Sequence, residues 1–92
     1  MKDRIISMPI EDVLDLHTFQ PKEVFNLLED YFEACIQNGI FSVRIIHGKG
    51  RGILRQRVRS ILERHPMVEW YGDAALDSGG WGATRVKLKS RI

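Results

Sequence analysis

The sequence predicts an α+β domain: a two-layer α/β sandwich in the order β-α-β-α-β-β, with a four-stranded mixed sheet and both helices on one face. Three observations carry this prediction. Two amphipathic helical repeats each follow a short apolar run, as strand-helix-strand crossovers require. A glycine or a proline ends each repeat. Beyond the second repeat come two more short runs suited to strands, with no third helical pattern between them.

The first strand is read from Val13, Leu14 and Leu16, where alternation sets Leu14 and Leu16 opposite Asp15 and His17. Pro21 suits the first turn of a helix. Val24, Leu27, Leu28, Tyr31 and Cys35 then recur at intervals of three and four until Gly39 supplies a stop. The β-branched run Val43 to Ile46 predicts a second strand that ends at His47, directly before Gly48, Lys49, Gly50, Arg51 and Gly52. Leu54, Val58, Ile61 and Leu62 mark the inner face of a second helix, which Pro66 cannot continue. Val68 to Ala75 predicts a third strand, Leu76 to Gly82 a turn-rich connection, and Ala83 to Lys89 a fourth strand with Thr84, Val86 and Leu88 on one face.

At 92 residues the chain holds one core, with residues 1–10 read as an N-terminal extension and 11–92 as the domain. No apolar run approaches the roughly 18 residues that cross a bilayer, and Met1 to Ile10 lacks the apolar stretch of a secretory signal, so a cytoplasmic location without membrane contact is expected. Cys35, the single cysteine, lies on the apolar helical stripe and is expected to be a reduced, buried thiol. The net charge of +2 hides an uneven distribution. Met1 to Ile40 carries −5, whereas Phe41 to Arg64 carries +6 from Arg44, Lys49, Arg51, Arg55, Arg57, Arg59 and Arg64 against Glu63. Such density suits a polyanion, because cations that neutralise phosphates release condensed counterions; on charge alone, a solvated helix face is the favoured reading.

Right-handed crossovers make the first three strands parallel, so their carboxyl ends share one rim, where such sheets usually hold ligands. Three segments converge there: the residues after His17, the glycine loop after His47, and the connection with Gly79, Gly80, Trp81 and Gly82. Asp15 and His17, two apart on a strand, share a face, and a neighbouring strand end brings His47 near them. Imidazole can exchange a proton with water or a leaving oxygen near neutral pH, and a carboxylate can orient it or hold a cation. Asp15 and His17 also fit a strand end that caps its own turn. In the loop, glycine lets the chain approach closely while unpaired amides, the helix dipole, Lys49 and Arg51 attract phosphate; a purely structural turn is the alternative. The G-x-G-x-G spacing matches neither the dinucleotide fingerprint nor the P-loop. Trp81 offers a stacking surface for a base, or else pins its loop to the domain. His65 closes the second helix and carries no assigned role.

Three separated motifs together resemble the Smr (small MutS-related) domain: Leu14-Asp15-Leu16-His17; Ile45-Ile46-His47-Gly48-Lys49-Gly50 with Gly52 and Leu54-Arg55; and Gly79-Gly80-Trp81-Gly82-Ala83-Thr84. The resemblance covers about Val13 to Leu88 and implies a sandwich similar to the C-terminal domain of bacterial translation initiation factor three. Smr domains occur alone or at the C-terminus of MutS-like proteins, and several bind branched or structured DNA or RNA and nick it. By position, the resemblance assigns Asp15, His17 and His47 as candidate catalytic residues. It assigns the glycine loop, Gly48, Lys49, Gly50, Arg51 and Gly52, as candidate contacts to nucleic acid and places Thr84 in the third motif; Arg55, from the basic helix, and Trp81, from its loop, join these candidates. Thr18 departs from the pattern, which commonly has glycine after the first histidine.

The leading expectation is therefore a nicking endonuclease acting on DNA or RNA, with His47 as acid or base and Asp15 orienting a histidine or recruiting magnesium or manganese. The alternative is a DNA- or RNA-binding module without catalysis. A protein-interaction domain ranks last, and strand order and oligomeric state are not legible in the sequence.

Overall fold

The computed structural model describes residues 10–48, 50, 52–75 and 80–90, with Trp81 described by its backbone alone. The expected N-terminal extension therefore lies outside the described residues except for Ile10, which packs half-buried against the core. The elements are β1 (Val13–Asp15), α1 (Val24–Gln37), β2 (Ser42–Ile46), α2 (Ile53–Arg64), β3 (Val68–Asp73) and β4 (Ala83–Leu88). Short 3-10 turns at Pro21–Glu23 and Gly80–Gly82 precede α1 and β4.

The sheet order is β1-β2-β4-β3. β1 and β2 pair in parallel, with Val13 beside Arg44 and Asp15 beside Ile46, and β4 runs antiparallel between β2 and β3. The last strand thus inserts between the second and third, and β1, β2 and β3 all point the same way. Their carboxyl ends form one rim, as the crossover argument requires.

Both helices and the inner sheet face enclose a single core. Phe32, Leu16, Leu28, Ile45, Leu62, Leu88, Val24, Val58 and Val86 are essentially sealed from water, and each large apolar side chain so buried contributes about 1.5 to 3 kcal/mol. The buried positions of α1, including Val24, Leu28, Tyr31 and Cys35, follow the stripe read from the sequence. Pro21 opens the 3-10 turn rather than α1 itself, and the Gln20 amide donates to Glu23 Oε1 at 2.8 Å, a capping interaction at the entry to the helix. Gly39 ends α1 with φ of 74°, the left-handed region that glycine enters without a Cβ clash.

Three strands are shorter than expected, β4 by one residue, ending at Leu88 instead of Lys89. β1 ends at Asp15, although the Leu16 amide still donates to Ile46 O at 2.8 Å. β3 ends at Asp73 instead of Ala75, and it contains an irregularity: Val68 pairs with Leu88 while Trp70 pairs with Lys87, leaving Glu69 as the extra residue.

Candidate functional site

At the end of β1 the chain turns, and the Asp15 carboxylate organises that turn. Its Oδ1 accepts from the His17 amide at 3.0 Å and lies 2.8 Å from His17 Nδ1. These hydrogen bonds, the backbone one first, hold the Asp15 carboxyl below its ordinary range, so it is ionised and can only accept. His17 Nδ1 therefore carries the proton. In the neutral ring this leaves the Nε2 lone pair outward, on a side chain that is 69% exposed. The turn-capping and orienting readings of this pair are realised together.

His47, one residue past β2, meets a different environment. It is 5% exposed, and both ring nitrogens are engaged: Nδ1 with Gly48 O at 3.0 Å and Nε2 with Thr84 Oγ1 at 2.8 Å. A carbonyl can only accept, so Nδ1 donates to it and Nε2 accepts the threonine hydroxyl proton. Burial is the main cause of a pKa below the usual histidine value, and the nearby Arg55 and Arg59 push the same way. His47 is thus held neutral. Because side chains alternate, Leu16 and His47 turn to the helix face while Asp15 and Ile46 turn to the other. The two histidines share the rim but not its accessible surface.

The loop after His47 is tied to β4, since the amides of His47 and Gly48 both donate to Gly82 O, at 3.1 and 2.8 Å. Gly48 and Gly52 have φ of 82° and 78°, whereas Gly50 is not left-handed; all three have open space where a Cβ would project. Lys49 and Arg51 lie outside the described residues. Gly52 caps α2 without any side-chain hydrogen bond, so the first-turn amides of that helix have no side-chain acceptor at the cap. Thr84 is fully buried against His47 and contacts no solvent, so its place is beneath the site.

Sequence reasoning missed Asp73. It lies at the end of β3 on the same rim, and Arg55 Nη2 donates to its Oδ1 at 2.9 Å while Arg59 Nη2 donates to the same oxygen. The hydrogen bond from Arg55, with the charge of Arg59, lowers its pKa. Arg55 is therefore an ion-pair partner as well as a candidate phosphate contact, and part of the basic face of α2 is neutralised by an acid distant in sequence. The rule that nominated the ends of β1 and β2 applies equally to β3, and would have pointed to Asp73. Alongside, a groove of about 460 Å3 is lined by Arg55, Gln56, Arg59, Ser60, Glu63 and Arg64.

Among the described residues, no group of three or more His, Cys, Asp or Glu side chains could hold a metal ion, and no helix is long and apolar enough to cross a membrane. Cys35 is buried, and burial pushes its thiol pKa up. His65 is buried too, edge-on to Phe32, with Nε2 3.2 Å from Glu29 Oε2, and its Nδ1 accepts from the Met67 amide at 3.1 Å.

Comparison with known proteins follows this geometry. The family model described as "Smr domain" matches residues 14–89. Curated relatives include "Endonuclease MutS2" of Halalkalibacterium halodurans, 39% identical over 80 residues, and "Endonuclease MutS2" of Clostridium tetani, 36% identical over 80 residues. Each alignment takes in 87% of this chain but 10% of the relative, so the chain spans about a tenth of the length of the curated proteins it matches. Among solved structures, the Smr domain of Thermus thermophilus MutS2 superposes with a TM-score of 0.81 at 34% identity, covering 86% of this chain and 99% of that one. YdaL, a stand-alone small MutS-related protein from Escherichia coli, superposes with a TM-score of 0.79 at 29% identity, covering 86% and 65%.

Proposed function

The chain belongs to the Smr domain family, and from that premise we propose that it is a nucleic-acid-binding domain that nicks DNA or RNA, with His17 as the proton-transfer group. The observation that carries this reading is the exposed Asp15–His17 pair: an ionised carboxylate fixes the imidazole tautomer and leaves Nε2 outward. Such a ring can take the proton of an attacking water or hydroxyl, or return one to the departing oxygen. The glycine loop and the open N-terminus of α2 face the same rim and supply amide donors for a phosphate. Lys49, Arg51, Arg55 and Trp81 complete the proposed contact by their place in sequence.

In this mechanism His47 is a positioning residue. Buried and neutral, it joins the start of the glycine loop to Thr84 on β4, and so sets where the loop amides point. A divalent cation such as magnesium or manganese would find one Asp15 oxygen already committed to His17. Among the described residues, that donor set does not build a protein metal site.

The relatives called "Endonuclease MutS2" support the reading at the level of the family. The test is a nicking assay on supercoiled DNA and on structured RNA, with and without magnesium or manganese. His17→Ala should slow cleavage by about 10²- to 10⁴-fold while leaving affinity intact. Equal rates for wild type and His17→Ala would remove His17 from the chemistry. Salt-sensitive binding with no product under any condition would leave the domain a binding module.

A further inference from the structure

The helices cover one face of the sheet, and the opposite face carries its own chemistry. Alternation along the strands and the observed register place Arg44 on β2, Arg85 and Lys87 on β4, and Trp70 and Gly72 on β3 on this open side. Trp70 is there because of the irregularity at Glu69. An unbroken strand would put Trp70 on the same face as Val68, which pairs with Leu88 toward the core; one extra residue reverses the alternation. The indole then lies over Gly72. A Cβ built at that glycine would sit 2.8 Å from Trp70 Cζ2 and 2.9 Å from Cη2, so glycine is what lets the ring approach the sheet. Trp70 remains 50% exposed, and the Arg85 guanidinium carbon is 5.9 Å from its ring centroid.

A half-exposed indole laid against the sheet and flanked by cations is the combination that holds unpaired nucleotides: a base stacks on the ring while phosphates meet Arg and Lys. We propose that this open face is a second nucleic-acid contact, with Trp70 receiving an unpaired base and Arg85, Lys87 and Arg44 carrying the adjoining backbone. Charge complementarity selects the occupant, since Arg44, Arg85 and Lys87 occupy the centre of this face, while its carboxylates lie at the margins: Asp12 and Asp15 at the β1 edge and Glu69 at the β3 edge. A groove of about 240 Å3 lined by Asp12, Val13, Ser42, Val43, Arg44 and Arg85 continues the surface from β4 toward β1. From β3 to β1 is three strand spacings, about 14 Å. A strand bound along this path leads from Trp70 to the rim where Asp15 and His17 lie, which makes the substrate single-stranded at the point of attack. The inference rests on the nucleic-acid-binding reading above.

The test uses the full chain carrying Trp81→Phe, in which Trp70 is the one remaining indole. Its emission is followed while an oligodeoxyribonucleotide, an oligoribonucleotide, or the duplex of either is added, and binding is read in parallel by anisotropy of a labelled strand. Single strands should quench Trp70, and duplexes should not; whichever single strand binds more tightly identifies the sugar. In the wild-type chain, Trp70→Leu should lower single-strand affinity about fivefold or more. Arg85→Glu should lower it more than Lys22→Glu, which alters charge equally on the helix side. Binding that leaves Trp70 emission unchanged, or equal losses in Arg85→Glu and Lys22→Glu, would overturn the open-face contact while leaving the nucleic-acid reading intact. No binding of the wild-type chain to any of the four ligands, read by the same anisotropy, would overturn both.

Discussion

His47 Nε2 and Thr84 Oγ1, both in buried side chains, lie 2.8 Å apart and join the loop after β2 to the start of β4. The residue that sequence reasoning favoured for proton transfer is thereby buried with both ring nitrogens engaged, whereas His17, just past the end of β1, is exposed.

Removing the hydroxyl from this buried pair should cost stability. Thr84→Val keeps the side-chain volume but leaves His47 Nε2 without a donor, a loss of about 1 to 3 kcal/mol. Thr84→Ser should recover most of it. Urea unfolding of the three proteins checks both statements.

The same histidine should make stability depend on pH below neutrality. Its folded-state pKa is depressed, mainly by burial, so as pH falls below the unfolded value of about 6.5 the unfolded chain takes up a proton that the folded chain refuses. The stabilisation is complete above that value and is lost as pH falls from it toward the folded value. His47→Gln should flatten this part of the profile relative to wild type, measured as the urea midpoint between pH 7.5 and 5. The depressed Asp15 carboxyl contributes in a separate window, present above its ordinary value of 3.8 and lost as pH falls through its lower folded value.

Within the loop, the three glycines should not be equivalent. Gly48→Ala and Gly52→Ala force a Cβ into left-handed backbone and should each cost about 1 to 2 kcal/mol. Gly50→Ala has neither a positive φ nor a close neighbour and should leave the thermal midpoint nearly unchanged.

Neutralising Asp73 should strengthen nucleic-acid binding. Asp73→Asn withdraws the charge that pairs with Arg55 and Arg59, so that a phosphate meets both guanidiniums without a competing carboxylate at Asp73. The log-log slope of affinity against salt should steepen by about one to two. An unchanged slope would place both arginines outside the interface.

Asp15→Asn should test the pair at the end of β1 from its other side. Asparagine can accept the His17 amide bond but no longer carries the negative charge that favours protonated Nδ1, so cleavage should slow by less than in His17→Ala. Single-turnover rates on the same substrate compare the two variants.

Much of this molecule is written locally. The spacing of Val24, Leu28, Tyr31 and Cys35 defines the inner face of α1, Gly39 and Pro66 end the helices, and crossover geometry gathers the ends of three strands, because these depend on 3.6-residue periodicity, backbone sterics and chain handedness alone. The motifs around Asp15, His47 and Thr84 also made the family legible, since several short patterns in order across one chain are specific together. What the tertiary structure decided is which side of the rim each residue faces. The insertion of β4 between β2 and β3 buries His47 against Thr84, the end of β3 brings Asp73 to Arg55 and Arg59, and one extra residue at Glu69 turns Trp70 outward. Burial, ion pairing and strand register arise between segments far apart in the chain, and no local spacing encodes them.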